Sequence, residues 1–172
     1  MLMLPRAALL VALPLFLACC TRGPRPETVL ASGQAGPVAL ASDGTHLYWT
    51  NAAGGQVMRL PLAGGSPEVL ASGQARPRGL ALGSTHVYWA NRDGGSVMRV
   101  PLAGGEATPV VSGQGHPEGV AVAGDRVYWS DASGFFMRVP LAGGTSEPVS
   151  ERASGPNDIA LNATHVYWSN GD

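Results

Sequence analysis

The chain has 172 residues, enough for one ordinary domain and short for two. Its 11 basic and 12 acidic residues give a net charge of −1, and it has no lysine. This composition excludes Schiff-base and Walker-type lysine chemistry and disfavours nucleic acid as a partner. Twenty-four glycines and 14 prolines separate short apolar runs, which indicates many tight turns.

The N-terminus, residues 1–19, is predicted to be a signal peptide. Arg6 precedes an uncharged run of twelve residues, 7–18, which is too short for the roughly 20 apolar residues of a membrane span. Both cysteines follow, at Cys19 and Cys20, so the domain beyond them has no internal disulfide. An uncleaved membrane anchor is the weaker alternative.

The sequence Phe-Leu-Ala-Cys at 16–19 resembles the end of a bacterial lipoprotein signal, where a peptidase cuts before a lipid-bearing cysteine. The resemblance implies lipidation of Cys19 and attachment to the membrane of a bacterial cell envelope. Because no Asp follows Cys19 directly, it further implies the outer membrane. The alternative is ordinary cleavage and secretion. A short linker, residues 20–26, is predicted before the folded domain.

The main signal is an internal repeat. A Tyr-Trp pair recurs four times with spacings of 40, 40 and 39 residues, and the flanking sequence recurs with it. The pairs lie at 48–49, 88–89, 128–129 and 167–168. Self-similarity at this period is typical of repeat folds.

Each repeat predicts four short strands, A to D, joined by Gly-rich turns. In the first repeat they are 37–41, 47–51, 57–60 and 68–71. Four-stranded meanders at this period stack as blades of an all-β propeller. Complete blades are predicted at about 37–73, 77–113 and 117–151, and partial blades at 27–34, a copy of strand D, and 156–172, copies of strands A and B.

The strand B sequences identify the repeat further. They resemble the YWTD repeats of low-density-lipoprotein-receptor-type propellers, and the likeness covers residues 27–172. The quoted tetrapeptides are Tyr-Trp-Thr-Asn at 48–51, Tyr-Trp-Ala-Asn at 88–91, Tyr-Trp-Ser-Asp at 128–131 and Tyr-Trp-Ser-Asn at 167–170. The family's terminal Asp is kept only at Asp131. The family usually has six blades, so this sequence predicts an incomplete or truncated propeller, or one that closes with other chains.

Variation within the repeat marks the candidate site. The residues that follow the strand A prolines should ring one mouth of the central channel, where they differ in charge from repeat to repeat. The candidates are Arg78, His116, Glu118, Asn157 and Asp158. The alternative is that these loop positions simply drift, or that Arg78 and Glu118 pair with each other.

No catalytic constellation stands out, and the sequence predicts no cofactor and no metal cluster. The recurrent histidines His46, His86 and His165 occupy one repeat position and should spread around the ring. The favoured function is a non-catalytic binding or scaffold module for a protein or carbohydrate at the cell surface. The alternative is a lactonase-like hydrolase or lyase with a divalent cation on Glu118, Asn157 and Asp158.

Overall fold

The computed structural model describes residues 28–150, 155–162 and 165–170, and every regular element in these stretches is a β-strand. The predicted signal peptide with Cys19 and the predicted linker lie outside the described residues. No helix in the described stretches is long and apolar enough to cross a membrane. The strands are β1 (Pro37–Ser42), β2 (His46–Asn51), β3 (Gln56–Pro61), β4 (Glu68–Ala71), β5 (Pro77–Leu82), β6 (His86–Asn91), β7 (Ser96–Pro101), β8 (Thr108–Ser112), β9 (Pro117–Ala123), β10 (Arg126–Asp131), β11 (Phe135–Pro140), β12 (Glu147–Pro148), β13 (Pro156–Leu161) and β14 (Val166–Asn170).

The sheets follow the sequence repeat. Strands β1–β4, β5–β8 and β9–β12 form three four-stranded antiparallel sheets in sequence order, and β13 pairs with β14. We call these sheets blades 1 to 4. The predicted all-β fold, with three complete four-stranded blades and a partial one, is confirmed.

One predicted strand is not formed. Residues 27–34 copy the sequence of strand D, but no strand is present in the described residues 28–36. A strand D pairs with the strand C of its own blade, and the first strand C, β3, already pairs with β4. The described residues from Ala31 onward belong to one compact unit.

The core lies between consecutive blades. The two side chains of a Tyr-Trp pair point to opposite faces of the sheet, so Trp89 and Trp129 pack on the preceding blade, and Tyr48 and Tyr88 pack on the following one. Trp89 and Trp129 are fully buried in this way, as predicted, and Tyr48 is 1% exposed. Trp168 remains 47% exposed, with its ring centroid 4.7 Å from that of Phe136.

A recurrent glutamine organises the polar end of strand B. Gln74 Oε1 accepts hydrogen bonds from Trp89 Nε1 at 3.2 Å and from Asn91 Nδ2 at 2.9 Å. Because only an amide can donate here, this contact gives a physical reason for Asn where the YWTD pattern has Asp. The same two bonds occur in the first repeat, among Gln34, Trp49 and Asn51.

The third repeat breaks this network. Asp131 has no side-chain N–H to donate, and its Oδ1 instead accepts from the backbone N–H of Ser133 at 2.8 Å and from the Ser133 hydroxyl. Trp129 Nε1 is then buried without a hydrogen-bond partner. Asp131 is therefore a turn-forming residue in this blade, and it leaves one buried donor unsatisfied.

The first strands of the blades approach each other almost backbone to backbone. A Cβ on Gly79 would lie 2.5 Å from the carbonyl oxygen of Glu118, and one on Gly119 would lie 2.8 Å from the Cα of Asp158. No real Cβ contact is this short. Glycine at 79 and 119 is thus required by the close approach of neighbouring first strands, whereas β1 and β13 have Ala39 and Asp158 at that position.

A hydroxyl in strand B joins neighbouring blades. The register between β1 and β2 shifts after Pro37, which frees the N–H of Ala39 to donate to Thr50 Oγ1 at 3.2 Å. Thr50 in turn donates to the carbonyl oxygen of Arg78, in the next blade, at 2.7 Å. The third repeat does the same through Ser130, Gly119 and Asn157.

The recurrent strand C arginines act at the outer side of the same junctions. Arg59 Nη1 donates to the carbonyl oxygen of Leu102 at 2.5 Å, and Arg99 Nη1 donates to that of Leu141 at 2.5 Å. Each guanidinium therefore ties one blade to a turn of the next. This accounts for the repetition of arginine at that position.

Asp43 holds the turn between β1 and β2. Hydrogen bonds from the Thr45 hydroxyl and the His46 backbone hold the pKa of Asp43 well below its ordinary value. Tyr48 also donates to Asp43, at 2.9 Å. Burial, followed by this hydrogen bond, raises the pKa of Tyr48 to about 12.

Candidate functional site

The opening residues of the four first strands come together, as the repeat predicted. Strands β1, β5, β9 and β13 lie side by side, and their openings line a cleft of about 350 Å³. Its polar lining comes from three blades, and blade 1 contributes apolar residues. The polar residues are Arg78, Glu118, Asn157 and Asp158, and the apolar ones include Val38 and Leu40.

Glu118 is the centre of the polar lining, and both of its carboxylate oxygens are occupied. Its Oε2 accepts from Arg78 Nε at 2.9 Å, and its Oε1 accepts from Arg92 Nε. The Glu118 side chain is 10% exposed, whereas the arginines are 29% and 27% exposed. The carboxylate is thus held between two guanidinium groups that reach solvent.

Arg92 was not among the predicted residues. It follows Asn91 at the end of strand B, and its hydrogen bond to Glu118 raises its pKa further, so it stays charged. The equivalent residues in the first and third repeats are Ala52 and Ala132. The presence of arginine instead of alanine at 92 could have indicated a site residue, but our search was confined to the openings of strand A. Arg92 also lies 3.4 Å from Asp93, an exposed ion pair of small energetic weight.

Asn157 and Asp158 form the exposed end of the cleft. The carbonyl oxygen of Asn157 accepts from Ser130, and Asn157 lines the cleft. Asp158 Oδ1 accepts from the backbone N–H of Ile159 at 2.9 Å. These two residues add an amide-bearing and a carboxylate-bearing residue to the cleft from the strand next to that of Glu118.

His116 does not line the cleft, contrary to the sequence expectation. It is exposed, and its Nδ1 lies 3.3 Å from the carbonyl oxygen of Arg92. It directly precedes the strand A proline, so it belongs to the turn that enters β9 rather than to the cleft wall. Its interaction is a local one with the neighbouring turn.

The recurrent histidines are likewise local. Nδ1 of His46 lies 2.9 Å from the Thr45 hydroxyl, and Nδ1 of His86 lies 2.8 Å from that of Thr85. Burial, followed by the charge of Arg99, lowers the pKa of His86. Within the described residues, no group of three His, Cys, Asp or Glu side chains is placed to hold a metal ion.

The cleft can therefore bind but shows no base positioned against a nucleophile. The Arg78 guanidinium, held by Glu118, can donate to carboxylate or hydroxyl oxygens, while Asn157 and Asp158 can accept. The apolar residues of blade 1 offer a surface for a nonpolar part of a ligand. This mixture of convergent polar groups beside apolar surface is typical of a binding cleft.

No protein-family model matches the sequence, and no curated protein matches it significantly. Several solved structures do match. A chain of the nidogen/laminin complex matches at a TM-score of 0.71 and 20% identity, covering 78% of this chain and 56% of that one. A virginiamycin B lyase from Staphylococcus aureus matches at a TM-score of 0.66 and 16% identity, covering 79% of this chain and 49% of that one. A gluconolactonase from Xanthomonas campestris matches at a TM-score of 0.67 and 14% identity, covering 84% of this chain and 58% of that one.

At these identities the likeness establishes the fold alone. The chain spans about half the length of these three proteins. They include enzymes by name and a chain from a protein complex, so the shared architecture serves unlike functions. The comparisons identify this chain as similar in fold to β-propeller proteins.

Proposed function

We propose that this protein is a non-catalytic binding module of the YWTD-repeat type, held at the bacterial cell surface, and that the cleft along the first strands takes its ligand. The observation that carries the proposal is the double arginine pairing of Glu118. It neutralises the acid that a catalytic metal would need and presents the Arg78 guanidinium to the cleft in its place.

The ligand is a protein or a carbohydrate that offers carboxylate or hydroxyl groups. Arg78 reaches solvent beside Glu118, so it can donate to a ligand oxygen without losing its partner. Asn157 and Asp158 accept or donate at the other end of the cleft. The structural likeness to a chain of the nidogen/laminin complex supports a protein ligand without naming one.

Binding can be tested on arrays of bacterial surface polysaccharides and of acidic peptides. The protein should retain a subset of spots, and Arg78→Ala should lose them. Arg138→Ala is the matched control, because Arg138 is also a partly exposed arginine paired with a glutamate, Glu147, but it does not line the cleft. Equal retention by both variants, or no retention by the unmodified protein, would reject the cleft as the binding site.

The alternative is a lactonase-like hydrolase or lyase with a divalent cation at the channel mouth. The named lyase and gluconolactonase neighbours favour it by fold alone. Calcium takes six to eight oxygen ligands, whereas the cleft offers Asn157 and Asp158 once Glu118 is engaged by its arginines. Calorimetric titration with calcium and with zinc separates the two functions: binding heat that is lost in Asp158→Ala would favour the enzyme.

The location at the cell surface rests on the N-terminal sequence. Lipidation at Cys19 would attach the mature protein to a bacterial membrane, and the absence of a following Asp directs it to the outer membrane. Mass spectrometry of the protein from its native host should find a mature N-terminus at Cys19 carrying lipid. An intact precursor with an unmodified Cys19 would contradict this location, and ordinary cleavage without lipid would indicate secretion.

A further inference from the structure

We propose that three arginines at one end of blade 2 bind an acidic peptide, whose carboxylates at alternate positions of an extended chain meet neighbouring guanidinium groups. The arginines are Arg76, Arg78 and Arg92, and we call them the arginine cluster. The proposal rests on the proposed binding function and extends it beyond the cleft, which Arg76 and Arg92 do not line. Blade 2 has a complete blade on each side, so both neighbours of the cluster are present.

The strand pairing of blade 2 brings the cluster together. Arg76 directly precedes β5, Arg92 directly follows β6, and the two antiparallel strands place Pro77 opposite Asn91. The equivalent positions of the first and third repeats carry no arginine. They are Gly36, Val38 and Ala52 in the first repeat and His116, Glu118 and Ala132 in the third. Blade 2 therefore concentrates at one end a positive charge that the repeat itself does not require.

The backbone of Arg76 indicates that its side chain has a use beyond the turn. Its φ of 56° lies in the left-handed region that favours glycine, and no other non-glycine residue in the described part of the chain has a positive φ. The equivalent residues Gly36 and Gly155 have φ values of 70° and 50°. The turn thus suits glycine, and strain of this kind at a non-glycine residue is typical of functional positions.

Shared carboxylates hold the three guanidinium groups close together. Arg76 Nη1 and Arg92 Nη1 lie 3.9 and 3.4 Å from one oxygen, Asp93 Oδ1, which limits their separation to about 7 Å. Arg92 Nε and Arg78 Nε bind the two oxygens of Glu118. In an extended peptide, successive side chains on one face are also about 7 Å apart, because the chain advances about 3.3 Å per residue. The spacing of the cluster therefore suits carboxylates at alternate positions.

The cluster retains positive charge for a ligand. Its three guanidinium groups are opposed by two carboxylates, those of Asp93 and Glu118, which leaves one positive charge unbalanced. The hydrogen bonds to Glu118 come from Nε atoms, so they do not use the terminal Nη groups. The contacts with Asp93 are long and half-exposed, and such ion pairs are weak. A carboxylate of a peptide can therefore replace them at low cost.

Asp93 also favours a peptide over a polyanionic glycan. A polymer with a negative charge on every unit would bring one of its charges against Asp93, between Arg76 and Arg92, where like charges repel. A peptide with acids at alternate positions places a neutral residue there, and its backbone N–H groups can donate to the Asp93 carboxylate. The planar guanidinium group matches the geometry of a carboxylate. The favoured ligand thus alternates acidic and neutral residues.

The test uses the full-length chain in nonionic detergent and two fluorescent peptides of equal composition. One peptide alternates, as Glu-Ala-Glu-Ala-Glu-Ala, and the other has its glutamates together, as Glu-Glu-Glu-Ala-Ala-Ala. Fluorescence anisotropy should give the alternating peptide a Kd about fivefold lower, as expected for one additional ion pair. Equal Kd values for the two peptides, or binding of neither, would overturn the proposal.

Arg76→Gly separates binding from folding, because glycine is the equivalent residue in blades 1 and 4. It should weaken binding of the alternating peptide about fivefold. The urea unfolding midpoint should stay unchanged or rise, since the substitution relieves a strained backbone. An unchanged Kd would overturn the proposal, and so would a loss of binding that is accompanied by an equal loss of stability.

Arg126→Ala is the matched control. Arg126 has the same long contact with an aspartate, 3.9 Å to Asp125, but it lies at the beginning of a strand B, whereas Arg92 follows the end of one. Peptide binding should be the same as in the unmodified protein. An equal loss in Arg126→Ala and Arg76→Gly would indicate unspecific attraction and reject the cluster.

Two further results distinguish this proposal from the proposed function of the cleft. If Arg78→Ala abolishes retention on the arrays but neither peptide binds, the cleft is the binding site and the acidic peptide is wrong. If Arg76→Gly weakens peptide binding and Arg78→Ala does not, the peptide binds beside Arg76 and the function of the cleft is wrong. Tighter binding of polygalacturonate than of the alternating peptide would assign the surface to a glycan and overturn the proposal.

Discussion

Replacement of Trp89 by alanine tests the proposal that the repeat tryptophans hold the blades together. Trp89 is fully buried between blades 1 and 2 and donates to Gln74 and to Asn91. Large-to-small substitution of a buried aromatic residue costs about 3–5 kcal/mol. The hydrogen bond from Asn91 to Gln74 would survive, so we expect a loss of about 4 kcal/mol rather than more.

Trp168→Ala is the matched comparison. Its side chain is 47% exposed and packs on Phe136, so about half of the burial energy is at stake and we expect a loss of about 1–2 kcal/mol. Urea unfolding followed by far-ultraviolet circular dichroism measures both variants without relying on tryptophan fluorescence. Equal losses of unfolding free energy at the two positions would refute the idea that burial between blades determines how much each tryptophan stabilises the fold.

Three further substitutions probe the axis and the first turn. Glu118→Gln should cost about 1–2 kcal/mol in urea unfolding, because Arg78 and Arg92 lose a charged acceptor; an unchanged midpoint would mean that the pairing contributes no stability. Gly79→Ala should cost about 1–3 kcal/mol through a backbone clash at 2.5 Å, and full stability would show that the first strands can separate. Asp43 has a lowered pKa when folded, so its contribution to stability is present above the ordinary pKa near 4 and is lost as the pH falls. The unfolding midpoint of Asp43→Asn should therefore approach that of the unmodified protein in acid, and a gap that stays constant with pH would contradict the pKa shift.

The fold was predictable because the same strand and turn pattern occurs in four repeats. Periodicity, a proline at the start of strand A and glycine in the turns each favour the same meander, and the Tyr-Trp pair indicates burial on both faces. The missing strand at 28–36 shows the limit of this logic. A copied sequence forms a strand only where a partner strand is present, and pairing is not encoded in the segment itself.

The candidate site was predictable only in part. Repeat geometry brought the strand A openings together, which placed Arg78 and Glu118 in one cleft. It did not reveal Arg92, because that residue lies just after strand B of the preceding repeat and meets Glu118 only in the folded propeller. The opposite error was made for His116. It was predicted in the cleft because it precedes Pro117, but it does not line the cleft.

Some residues of the repeat contact a neighbouring blade, and others face the cleft. The two kinds of position differ in how far their sequence varies between repeats. Gly79 and Gly119 each allow a close approach of neighbouring first strands, and Gln34 and Gln74 make the same pair of bonds in the first two repeats, so these contacts recur even though β1 has Ala39 at the glycine position. Residues that face the cleft do not have to make the same contact in every blade, because each of them lies beside different residues. Glu118 therefore differs from Val38, and its pairs with Arg78 and Arg92 add a contact between blades 2 and 3 that Val38 cannot make.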